Sequence, residues 1–169
     1  IPVDAPNQFA LNIADHELDG FRGALQQAGP HYSDIYPVVR GRLTAINNKP
    51  VQTAVSKENP DEARDESLNR ELNLTWAKDL PHGNTLSSGQ WWTKDSAINK
   101  EVSVEKRLAE RLNIQMGDTL TFTLAEGTLQ AKVGSLREVD WDSFQPNFYV
   151  VFPPGVIEHF PASWMTSFN

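Results

Sequence analysis

The side chains able to do chemistry are few, and their spacing decides how far they can go. Four histidines, His16, His31, His82 and His159, lie far apart, in turns or at helix starts. None stands in an HExxH or other paired arrangement, which a zinc site or an oriented general base requires. Asp140 and Asp142 flank Trp141. Two carboxylates across one aromatic could share acid and base roles, with His159 as a third group, as a stand-alone periplasmic hydrolase would need. Two acids around an aromatic are, however, more often turn and edge chemistry. Leu86-Ser87-Ser88-Gly89 lacks the first glycine and the strand-turn-helix setting of a nucleophile elbow. Neither a GxxxxGK[ST] nor a GxGxxG phosphate loop occurs. The chain holds no cysteine, so thiolate nucleophiles, disulfides and cysteine-ligated zinc are excluded together. These residues predict no catalytic group, no metal and no cofactor.

Groups suited to contact remain. Arg40 and Arg42 share one strand edge, and Trp91, Trp92 and Trp141 are large aromatics in a polar chain. Adjacent tryptophans on a strand point to opposite faces, so the doublet predicts one partly exposed indole. Such aromatics suit a protein partner or an apolar ligand, or the packing of a junction.

The elements that must position these residues follow from periodicity. Gln8 to Ile13 alternates Phe9, Leu11 and Ile13, the period of a half-buried strand. A helix capped by Asp15 carries Leu18, Phe21, Leu25 and Ala28 and ends at Gly29-Pro30. Tyr36 to Ile46 returns as extended chain, so the opening third reads β-α-β. Nine of the fifteen residues from Lys57 to Glu71 are charged, which predicts a solvated helix or loop. Glu71 to Trp76 is strand-like, and Leu80 to Gln90 is rich in turn residues. Ser103 is the expected cap of a helix with Val104, Leu108 and Leu112 on its apolar stripe and Glu105, Lys106, Glu110 and Arg111 in water. Asn113 provides a left-handed exit, Ile114 packs back, and Gly117-Asp118 turns the chain into a hairpin, Thr119 to Leu124 and Thr128 to Val133. Asn147 to Phe152 is apolar on both faces and predicts a central strand. With the final extended piece it forms a second β-α-β.

Bulk properties bound the partners. A net charge of -7 and a pI near 5.0 over 169 residues argue against nucleic acid, because a phosphate backbone needs a basic face. The longest apolar run, Phe148 to Pro154, falls far short of the roughly 18 residues that cross a bilayer. Ile1-Pro2-Val3-Asp4 has no initiator methionine, basic region or apolar core, which leads us to expect a chain cut from a longer one.

The run SVEKRLAERLNIQMGDTLTF, Ser103 to Phe122, resembles the helix-Gly-Asp-strand segment of the extracytoplasmic core domain in FtsX/MacB-like ABC transporter permeases. Similar runs occur in double-psi barrels and swapped-hairpin DNA-binding domains, where the turn does the same geometric job. DAPNQFALNI, YPVVRGRLTAIN, RELNLTW, SGQWW, VDWDSFQPNFYVVFPPG and the closing TSF, in that order, are similar to the first large extracytoplasmic loop of YbbP-type permeases. The charged stretch at about residues 50–70 is outside the match.

The resemblance implies an α+β fold. A split β-α-β, porter-like (ferredoxin-like) base would come from residues 1–46 plus 140–169, with 47–139 as an inserted, mostly β, sabre-like subdomain carrying one helix and the acidic stretch. It implies a non-catalytic domain in the periplasm, held by flanking transmembrane helices of an inner-membrane protein. That domain would transmit ATP-driven motion from a YbbA-type ATP-binding subunit to a partner or a lipid-like substrate. A periplasmic esterase or lysophospholipase is the implied partner, and no catalytic residue carries over. The residues leave a hydrolase or a small apolar-ligand-binding domain as alternatives.

Overall fold

The computed structural model describes residues 8–13, 17, 19–20, 35–51, 71–141 and 146–168. The helix expected between residues 14 and 30, the acidic stretch and Asp142 lie outside the described residues.

Ten strands and one helix have their bounds among them. In chain order these are β1 (Gln8–Ile13), β2 (Tyr36–Ile46), β3 (Lys49–Pro50), β4 (Leu72–Trp76), β5 (Asn84–Gly89) and β6 (Glu101–Glu105). After them come helix α1 (Lys106–Leu112), β7 (Thr119–Leu124), β8 (Gly127–Val139), β9 (Val150–Phe152) and β10 (Ser163–Phe168). The α+β class holds in its loose form, as a mixed and mostly β sheet with one helix.

The sheet closes on itself. Strand β2 pairs with β4, β4 with β9, β9 with β6, β6 with β8, β8 with β7, and β7 again with β2. Two of these pairings, β4 with β9 and β6 with β8, are parallel. Closure removes the open edges that a flat sheet would leave to solvent. The ring is filled by side chains: Leu74, Val102, Val104, Leu120, Phe122, Val150 and Phe152 have no accessible surface. Phe122 and Phe152 meet edge to face at 5.6 Å, a favoured aromatic geometry. Gly41 lies on this inner side of β2, where a Cβ would come within 3.0 Å of Leu74 Cδ1. Outside the ring, β5 flanks β8, and β10 and then β1 continue from the first residues of β2.

Helix α1 starts two residues later than the sequence predicts. Ser103 and Val104 belong to β6, and Glu105 is the N-cap, its Oε2 accepting from the Leu108 N–H at 2.7 Å. Glu105 is therefore buried, against the expectation that it faces water. A carboxylate there satisfies a donor the helix leaves orphaned. The exit is as expected: Asn113 is left-handed at φ 54, and the Ile114 N–H reaches the Ala109 carbonyl at 2.8 Å. This is the two-bond closure that a left-handed residue makes possible. Leu108, Ala109, Leu112 and Ile114 join the ring's core.

The Gly117-Asp118 corner joins α1 to the rest. Asp118 accepts from the Gln115 N–H at 2.8 Å and from Asn47 Nδ2 at 3.1 Å, while Asn47 Oδ1 accepts from the Thr119 N–H at 2.9 Å. Asn47 and Asn48 both have positive φ, as a two-residue hairpin turn between β2 and β3 requires. One corner therefore pins another. The stretch from Leu80 to Gln90, read as turns, contains β5. Exposed on both faces for most of its length, it lacks the apolar alternation by which strands are recognised.

Candidate functional site

Where β4, β9, β6 and β8 run side by side, the outer face of the ring is also buried, but it is differently built. Ser103, Glu105, Ser135 and Arg137 are buried there. The Arg137 guanidinium donates to Ser103 Oγ at 2.8 Å, to the Ser103, Phe148 and Tyr149 carbonyls at 3.3, 2.9 and 3.1 Å, and to Asn84 Oδ1. One planar fork thus ties together β5, β6, β8 and the chain entering β9. Burial lowers the Arg137 pKa to about 10, and the nearby Glu105 charge opposes the shift. Sequence reading missed Arg137 because the strand was expected to end at Val133. A lone arginine in an alternating stretch beyond that end was the available signal.

A second apolar cluster, Tyr36, Val38, Phe148 and Val151, covers part of this outer face with Trp91 and Trp92 packed on it. The two indoles lie 4.2 Å apart, and their Nε1–H groups donate to the Lys78 and Ala77 carbonyls at 2.8 and 2.6 Å. Both are half-buried, in a loop and not in a strand. They clip the chain leaving β4.

Arg40 and Arg42 are exposed. By strand alternation they share the outward side of β2 with Tyr36 and Val38, so four of the five candidates lie on one face. Arg40 comes within 4.0 Å of Glu71 with both side chains more than half exposed, an ion pair of little energetic weight.

Trp141 is apart from them. It is 37% exposed, and its ring meets Tyr149 at 5.3 Å. Together they line a cleft of about 530 Å³ with Glu105, Arg107, Glu110 and Arg111. Arg107 and Arg111 are one helical turn apart, so they share a flank of α1. Two guanidinium groups beside two aromatic rings can hold a flat or anionic group by stacking and charge. Sequence reading identified Trp141 but not its arginines; their i, i+4 spacing was the signal. Nearby, Lys106 donates to Glu138 at 3.0 Å, and that carboxylate raises its pKa.

Of the residues in the hydrolase reading, His159 stacks on Phe160 at 4.2 Å, and Asp142 lies outside the described residues. No group of three or more metal-binding side chains occurs among the described residues.

No protein-family model matches the chain. All 169 residues align at 44% identity with a segment of the ABC transporter permease YbbP of Escherichia coli K12. The resemblance to a YbbP-type permease read from the sequence therefore holds along the whole length. The chain spans 19% of that relative. A solved domain of a permease protein from Porphyromonas gingivalis overlays 87% of this chain and 66% of its own, at 16% identity and a TM-score of 0.40, a likeness too distant to build on. No helix among the described residues is long and apolar enough to cross a membrane.

Proposed function

We propose that the chain is a non-catalytic, periplasmic domain of an inner-membrane ABC transporter permease, moved as a solid body when a YbbA-type ATP-binding subunit works in the cytoplasm. The observation that carries this reading is the closed, side-chain-filled ring with the two remote chain segments paired at its margin. Gln8 is the register partner of Phe168, and β10 joins both to β2. Gln8 and Phe168 thus share one corner, and a push there would turn the whole ring. Tight interiors transmit displacement because they cannot be compressed. A membrane-proximal split base of residues 1–46 and 140–169, with 47–139 inserted as the lever, belongs to the same proposal, and β2 and β9 of that base share the closed ring with strands of the insertion. A periplasmic esterase or lysophospholipase, or a lipid-like substrate, is the proposed load. The Arg40-Arg42 face and the Trp141 cleft are its proposed contacts.

The test uses full-length permease with its ATP-binding subunit in lipid nanodiscs. Because this chain has no cysteine, single reporters can be placed in it at Lys94 and Glu126, both exposed. The Lys94–Glu126 distance should stay constant on ATP binding, while energy transfer from Glu126 to labelled lipid changes. An internal distance that moves as much as the external one, or no external change, would overturn the solid-body reading. Placement is tested separately with Ile98→Cys, at a position 80% exposed. A membrane-impermeant maleimide should label it from outside spheroplasts, and labelling only after lysis would contradict the periplasmic side.

A further inference from the structure

We draw no further inference here: the strongest candidate, the cleft of about 530 Å³ between Trp141, Tyr149 and the flank of α1 that carries Arg107 and Arg111, belongs to the contacts already proposed, and with residues 142–145 beside it outside the described residues nothing in the structure shows what covers it.

Discussion

Two rows of residues cross the same four strands, one on each face, and they are held in opposite ways. The inner row is Leu74, Val150, Val104 and Leu136; the outer row is Thr75, Val151, Ser103 and Ser135. In both rows the residues on β4, β9 and β6 have no accessible surface. The inner row is apolar and faces side chains that need only fill volume. Three of the four outer residues carry hydroxyls, and beside them Arg137 is held by fixed hydrogen bonds. Burial alone therefore does not tell how a layer is stabilised. The inner layer depends on the area removed from water. The outer one depends on the hydrogen bonds that Arg137 makes to Ser103 and to the Phe148 and Tyr149 carbonyls, although the buried Ser135 hydroxyl is left without a partner.

The contrast can be broken from either side. The largest effect should come from Phe122→Ala, which opens a hole in a ring where neither Phe122 nor Phe152 is accessible; we expect a loss of about 3–5 kcal/mol in urea unfolding. Arg137→Ala should cost about 3 kcal/mol by leaving the Phe148 carbonyl without its Arg137 donor, while the Tyr149 carbonyl keeps the Glu105 N–H at 2.8 Å. Arg137→Lys should recover little of it, since a single ammonium cannot reproduce the fork. If lysine restored stability fully, the outer layer would depend on charge and not on geometry.

Glu105→Ala removes the cap of α1 and should cost about 1–2 kcal/mol, read as lost helix signal together with a lower unfolding midpoint. Trp141→Ala, at the open rim of its cleft, should cost only about 0.5–1 kcal/mol, which separates it from both buried layers.

The smallest effect is a pH slope. Burial holds the folded pKa of Arg137 at about 10, below the ordinary arginine value. Between those values the unfolded chain binds more protons, so this group makes the fold more stable as pH rises through the window. Below it the group is charged in both states and contributes no slope. Relative to Arg137→Met, the parent should gain stability across that range; parallel curves would remove the buried charge from the account.

How much was legible in advance differs between the same two layers. β2 was readable to its ends, Tyr36 and Ile46, as an extended run whose burial alternates from Val39 to Leu43. The exit of α1 was legible because Asn113 is one of the few residue types that tolerates the left-handed region. The start of α1 was misread for a local reason. Ser103 is a better cap than Glu105 by propensity, but in the fold its hydroxyl serves Arg137. The tryptophan doublet was read as a strand pair with one indole exposed. It is a stacked loop pair whose N–H groups are both used by backbone 13 and 15 residues away.

By itself, the sequence determined the local matters: which segments extend, where α1 stops, which turns accept positive φ, and the absence of any cysteine chemistry. It also carried the likeness to a YbbP-type permease along its whole length. Only the tertiary structure decided that β7 returns to β2 and closes the ring, that Arg137 is interior, and that β5 pairs with the end of β8 beyond the ring. The reason is range. Periodicity and capping are set by neighbours within a few residues, whereas the pairing of Leu43 with Phe122 and of Glu105 with Arg137 joins positions whose proximity no local preference encodes.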